Sequence, residues 1–148
     1  MTNIPVKIHK LNLNARLPVR SSEQAAGYDV YACCDSEIIL NRGSIHAIGT
    51  GIAVEIPNGY HISIRARSGL ALKHGLTPIN TPGTIDSDYR GEIFVPLINL
   101  GPADFTIRNG ERIAQLLIEK TYLIEWLEVN ELNDTKRSGG GFGSTGIH

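Results

Sequence analysis

Apolar residues along this chain recur mostly with period two. In "TGIAVEIPNGYHISIRAR", Ile52, Val54 and Ile56 alternate with Ala53 and Glu55, and Tyr60, Ile62, Ile64 and Ala66 alternate with His61, Ser63 and Arg65. Successive side chains of a strand point to opposite faces, so the alternation predicts strands, and the intervening "PNG" predicts a hairpin over Ile52 to Arg67. "SEIILNRGSIHAIGT", "GEIFVPLINLG" and "DFTIRNGERIAQLLIEKTY" read as further short strands punctuated by Gly, Asn and Pro. Strands this short and this regularly interrupted predict an all-β sandwich, jelly roll or barrel. One segment departs from the pattern. In "RSGLALKHG", Leu70, Ala71, Leu72 and Lys73 favour a helix of about two turns, with Ser68 as its N-cap and Gly75 closing its C-terminus.

Composition narrows the class. The chain has 148 residues, 41% hydrophobic and 20% charged, which suits one soluble domain with a real core. A net charge of -1 argues against a general nucleic-acid or membrane-surface binder. The longest apolar run, "IFVPLINL", is interrupted by Pro96 and Asn99 and is too short to span a membrane. The first residues carry no apolar signal-peptide core, so a cytoplasmic protein is expected. Cys33 and Cys34 are adjacent, a poor spacing for a disulfide framework, and read as reduced thiols in a sheet. The only low-complexity stretch is the tail, "KRSGGGFGSTGIH". Such a tail is either a spacer or a loop that closes on an anion with backbone N–H groups, Arg137, Ser144 and Thr145, and a stacking face on Phe142.

Candidate chemistry is scattered over four further segments. In "RARSGLA", Arg65 and Arg67 are one residue apart on a strand that runs into a helix start, a junction suited to a phosphate, or equally to a plain capped helix with a solvated face. In "NTPGTIDSDYRGE", Asp86 and Asp88 would share a face if the segment is a strand, and could bind a metal or supply a general base; the same residues also suit a turn. Asp29 is an isolated acid in the apolar "AAGYDVYA", and Gln115 sits beside Arg112 in "GERIAQLLIE".

Taken in order, "AAGYDVYA", "RSGLA", "GTIDSDYRGE", "GERIAQLLI" and "RSGGGFGSTG" resemble the five motifs of the trimeric deoxyuridine triphosphate nucleotidohydrolase (dUTPase) family, from about Ala25 to Gly146. Ala66, where many relatives have proline, and Ser138, where many have glycine, are small departures. The resemblance implies a distorted jelly-roll or β-barrel domain over 1–134 with a Gly-rich closing arm over 135–148, assembled as a homotrimer whose sites are shared between chains. It implies dUTP as substrate, no nucleic-acid or membrane partner, and Mg²⁺ as cofactor, held mainly by the phosphates, with Asp29 reaching it through water. Asp86 would take a proton from the water that attacks the α-phosphorus, giving dUMP and pyrophosphate. Arg67, Ser68, Gly69 and Gln115 would hold phosphate oxygens. A short strand pair around Asn80 to Tyr89 would read uracil largely by main-chain groups, with Asn80 contributing; Thr84, Ile85 and Phe94 would also bind substrate, Tyr89 would press on the deoxyribose, and Asp88 would orient. From the tail, Phe142 would cover the ring, Arg137 would grip the γ-phosphate, and the Gly139 to Gly143 backbone, with Ser144 and Thr145, would wrap the phosphates.

Two other functions remain in view. A dCTP deaminase would share the fold, but that branch needs a glutamate where this chain has Pro96, which cannot transfer a proton. A non-catalytic trimer that reports nucleotide state to a protein partner is the other.

Overall fold

The computed structural model describes residues 3–140. Within them the chain forms β1 (Lys7–Lys10), β2 (Tyr28–Tyr31), β3 (Ile38–Leu40), β4 (Ile45–Gly49), β5 (Ile52–Glu55) and β6 (Tyr60–Arg65). Then come α1 (Ser68–His74), β7 (Leu76–Pro78), β8 (Gly83–Ile85), β9 (Phe94–Asn99), β10 (Phe105–Ile107) and β11 (Arg112–Lys120). The strands pair as β1-β5, β10-β3, β2-β11-β6-β8 and β4-β9-β7, every pair antiparallel. These small sheets wrap one core, in which Val30, Leu40, Ile48, Ile52, Val95 and Ala114 are fully buried. The result is the expected all-β, distorted jelly-roll domain with one short helix. No helix among the described residues is long and apolar enough to cross a membrane.

The predicted hairpin does not form. β5 pairs with β1, whereas β6 lies between β11 and β8. The turn at Pro57 to Gly59 is real: Tyr60 N–H donates to the Pro57 carbonyl at 3.2 Å and Gly59 has φ 85°. It delivers the chain to β11 rather than back to β5, and Thr121 N–H donates to the Gly59 carbonyl at 2.8 Å. The nine-residue β11 offers β6 a six-residue register, from Gln115↔Arg65 to Lys120↔Tyr60, longer than the four residues of β5. Ladder length and burial of Ile62 and Ile64 outweigh adjacency in sequence.

The helix forms as expected with a different cap. Arg67, not Ser68, is the N-cap and makes no side-chain capping bond; Ser68 is the first helical residue. Gly75 closes the helix in the left-handed region at φ 67°, its N–H bonded to the Ala71 carbonyl. A Cβ there would lie 2.4 Å from Gly101 N, so the position demands glycine twice over.

After β11 the chain carries an unusual row. Tyr122, Leu123, Ile124, Trp126 and Leu127 are all exposed, and residues 121–130 join no strand. Elsewhere, buried polarity is well satisfied. Asn99 is completely buried; its Nδ2 donates to the carbonyls of Leu40 (2.8 Å) and Ala103 (2.9 Å), and its Oδ1 accepts Gly101 N–H at 2.9 Å. Asn99→Ala leaves these three backbone groups without partners, so a loss of roughly 2–4 kcal/mol is expected. Urea unfolding at fixed protein concentration should show it as a lower midpoint with unchanged slope.

Candidate active site

Two clusters assemble the candidate residues. The first is a cavity of about 210 Å³ lined by Ile64, Asn80, Thr84, Ile85, Asp86, Tyr89, Glu92, Ile93 and Phe94. Asn80, Thr84, Ile85, Asp86, Tyr89 and Phe94, all singled out in sequence, therefore face one space. Their setting differs from the expected strand pair around Asn80 to Tyr89. β7 belongs to the β4-β9-β7 sheet and β8 to the sheet of β6, so the cavity lies where the chain passes from one sheet to another. Nor do Asp86 and Asp88 share a strand face. β8 ends at Ile85, and Tyr89 N–H donates back to the Asp86 carbonyl at 3.2 Å, making residues 86–89 a turn. Arg90 staples it, donating to the carbonyls of Ser87 (2.7 Å) and Tyr89 (2.9 Å). Asp86 stands at the cavity, and Asp88 lies exposed on the turn. The wall opposite is held by Tyr89 Oη, which donates to the Glu92 carbonyl at 2.9 Å.

The second cluster centres on Asp29 in β2. Its carboxylate is 7% exposed and accepts from Arg67 Nε at 2.9 Å, Arg112 Nη1 at 3.2 Å and Ser21 Oγ at 2.6 Å. Burial alone would raise its pKa, but the Ser21 hydrogen bond and the Arg67 and Arg112 charges outweigh it and hold the group below the ordinary carboxylate value. Gln115 faces Asp29 across the ladder and its Nε2 donates to the Ala66 carbonyl at 2.9 Å, tying β11 to the β6–α1 junction where Ser68 and Gly69 begin the helix. Arg65 goes elsewhere: its guanidinium pairs with Glu119, which also accepts from Ser63 Oγ at 2.8 Å. Arg65 and Arg67 thus serve different carboxylates.

Sequence reasoning passed over Arg112 and Glu92 as site residues. Arg112 and Gln115 are three apart, which on a regular strand means opposite faces. A bulge between Arg112 and Ala114 shifts the register, pairing Arg112 with Tyr31 and Gln115 with Asp29, so both face the same side as the acid. No signal in residue type points to Arg112, whose place comes from the bulge. Arg137 Nε donates to the Gly140 carbonyl of its own tail at 2.8 Å and does not line the cavity. Phe142, Gly143, Ser144 and Thr145 lie outside the described residues.

Among the described residues no three His, Cys, Asp or Glu side chains cluster to hold a metal. Both Asp29 oxygens are engaged by hydrogen-bond donors, two of them guanidinium groups, so the chain offers no direct coordination site there. A carboxylate so engaged could meet a cation only through an intervening water. Cys33 and Cys34 are half-buried free thiols whose pKa burial pushes up, which keeps them protonated at neutral pH.

An all-β domain with a turn-borne carboxylate at one cavity, and a separate cluster of two arginines on a nearly buried carboxylate, has the makings of an enzyme for a small polar substrate. The dUTPase family pattern matches residues 13–146. A deoxyuridine 5'-triphosphate nucleotidohydrolase of Rickettsia typhi is 52% identical over 148 residues, covering 99% of this chain and all of the relative. Among solved structures, a point mutant of the Staphylococcus bacteriophage 80alpha dUTPase with dUpNHpp superposes with a TM-score of 0.84 at 28% identity, covering 97% of this chain and 99% of that one. A mutant dUTPase of the S. aureus phage phi11, described with a structural Mg(II) ion, gives 0.75 at 26% identity, covering 86% and 97%. The chain belongs to the dUTPase family.

Asp29 tests the electrostatics of the second cluster. Its lowered pKa means that its contribution to stability is present above the unfolded value of 3.8 and lost as pH falls through the folded value. Asp29→Asn should therefore be less stable than wild type at neutral pH, by about 1–3 kcal/mol. That gap should close in acid below pH 3.8, as followed by thermal melts across a pH series.

Proposed function

We propose that this protein hydrolyses dUTP to dUMP and pyrophosphate, keeping uracil out of DNA and supplying dUMP for thymidylate synthesis in the cytoplasm. The observation that carries the reading is the convergence of Asn80, Thr84, Ile85, Asp86, Tyr89 and Phe94 on one cavity. Asn80 and main-chain groups of the segment that follows it would read the uracil, their close approach excluding a 5-methyl group, with Thr84, Ile85 and Phe94 also lining the space. Tyr89 borders the deoxyribose, where a 2′-hydroxyl would collide or lose its hydration.

Asp86 accepts a proton from a water as that water's oxygen bonds to the α-phosphorus and the bridging P–O bond to the β-phosphate breaks. Such chemistry asks the protein mainly for positioning and charge neutralisation. Arg67, Ser68, Gly69 and Gln115 supply these from the β6–α1 junction and β11, with Asp29 holding the Arg67 guanidinium in place. Mg²⁺, when bound with the nucleotide, neutralises phosphate charge. Asp29 would reach it only through water, consistent with the engaged carboxylate. The tail from Arg137 to Thr145 closes over the phosphates and base.

The domain, 1–134 with its arm 135–148, works as a homotrimer with shared sites. Support comes from the exposed row Tyr122, Leu123, Ile124, Trp126 and Leu127, an apolar surface of the kind that marks an interaction site. An apolar groove of about 320 Å³ along β1, lined by residues such as Val6, Ile8, Val54 and Ile118, is similarly uncovered.

Asp86→Asn keeps the shape of the site and removes the base. Turnover of dUTP should fall roughly 10²–10⁴-fold with nucleotide binding largely kept; near wild-type turnover would mean another group takes the proton. Sharing of sites has its own test. Asp86→Asn chains, with intact tails, are co-refolded in equal amounts with chains truncated after Asp134. Each alone should be nearly inactive. In random trimers a site needs a truncated chain as Asp86 donor and an Asn chain as tail donor, so about a quarter of wild-type site activity should return. No recovery after verified subunit exchange would place Asp86 and tail on one chain.

A further inference from the structure

Glu92 lies outside the residues given a role above, yet it is anchored on both sides of the cavity wall. Its Oε1 accepts Gly51 N–H at 2.8 Å, from the turn between β4 and β5. A Cβ on Gly49 would sit 2.8 Å from the same oxygen, so that turn leaves space for the carboxylate as well as a donor. The backbone of the next residue is bolted to the same turn. Ile93 N–H donates to the Ile52 carbonyl at 2.9 Å, and the buried Thr50 hydroxyl donates to the Ile93 carbonyl at 2.7 Å. On the cavity side, the Glu92 carbonyl receives Tyr89 Oη at 2.9 Å, and a Cβ on Gly91 would lie 2.4 Å from that hydroxyl. Two glycines thus clear room for two contacts, one on each side of Glu92.

The chain of cause is short. Where Glu92 is held decides where its carbonyl sits, and the carbonyl decides where the Tyr89 ring leans. A charged acceptor holds a backbone N–H more firmly than a neutral one, and this one bridges the cavity wall to the core-anchored β4–β5 turn. We propose that Glu92 is a positioning residue for sugar discrimination: its bond to Gly51 fixes the wall that Tyr89 presents to the nucleotide. The proposal rests on the reading of Tyr89 as the deoxyribose wall.

The test is the ratio of specificity constants for dUTP over UTP, measured for wild type, Tyr89→Ala, Glu92→Ala, Glu92→Gln, Gly49→Ala and the Gly49→Ala/Glu92→Ala double variant. Gly49→Ala displaces the carboxylate while leaving the glutamate in the chain. Tyr89→Ala, Glu92→Ala and Gly49→Ala should each lower the ratio about three- to tenfold. Glu92→Gln, which keeps an acceptor for Gly51, should restore it to within about twofold of wild type. The double variant should be no worse than either single, because both remove the same bond. Lost folding would lower both specificity constants together and leave the ratio unmoved. If Tyr89→Ala lowers the ratio while Glu92→Ala or Gly49→Ala keeps it at wild type, the role of Glu92 is overturned and the Tyr89 reading stands. If Tyr89→Ala itself leaves the ratio unchanged, both fall. Should Glu92→Ala fail to fold, Gly49→Ala and Glu92→Gln decide by the same criteria, and a Gln variant with a lowered ratio overturns the Gly51 anchor.

Discussion

β11 is the constraint on which the rest of the molecule depends. It pairs with β2 on one side and β6 on the other, so it joins segments far apart in the chain, with Leu116 opposite Tyr28 and Gln115 opposite Arg65. Its apolar face contributes Ala114 and Leu116 to the core. Its bulge turns Arg112 toward the face that carries Gln115 and Asp29. Without that extra residue the ladder could continue, but Asp29 would face one guanidinium instead of two. A nearly buried carboxylate is costly unless it is paired and hydrogen-bonded, and here Ser21, Arg67 and Arg112 together offset that cost. Pairing in the sheet and solvation of the acid are therefore one problem with one solution.

The cavity obeys a second logic. Its walls come from the passage between sheets, β8 with the turn over 86–89 on one side and the entry to β9 on the other. A strand interior could not hold such a space, because its backbone groups are committed to neighbours and its side chains to two faces. The turn frees Asp86 from the ladder while Arg90 and Tyr89 keep the backbone fixed. Polar side chains placed on a braced turn are the means by which a rigid scaffold presents chemistry.

Most element positions were legible from the chain alone. Period-two alternation located β5, β6, β9 and β11, and a run of helix formers before Gly75 located α1. Partners were not legible. "PNG" predicted a local hairpin because turn chemistry is local, whereas the choice between β5 and β11 as a neighbour for β6 depends on ladder length and burial, which appear only when distant segments meet. For Asp86 and Asp88 the residue types suited a strand face or a turn, and the structure forms the turn, because β8 ends at Ile85. Ser68 was read as a cap from its type, but the chain enters the helix one residue earlier, at Arg67, whose side chain is drawn to Asp29.

Motif order did for the site what periodicity did for the strands. Asn80, Thr84, Ile85, Asp86, Tyr89 and Phe94 could be named because five short segments resemble one family in sequence, and all six reach the same cavity. Arg112 and Glu92 could not, since nothing in residue type distinguishes them from ordinary surface charge. Arg112 acquires its place through a bulge, and Glu92 through a backbone N–H contributed by a turn forty-one positions earlier. Local sequence by itself determined which segments are extended, where they turn and which residue types could do chemistry, because these follow from side-chain periodicity and backbone propensity. Which strands pair, which face a charged side chain takes and what holds the cavity wall were decided by tertiary structure alone, because hydrogen-bond registry and burial are properties of two segments at once.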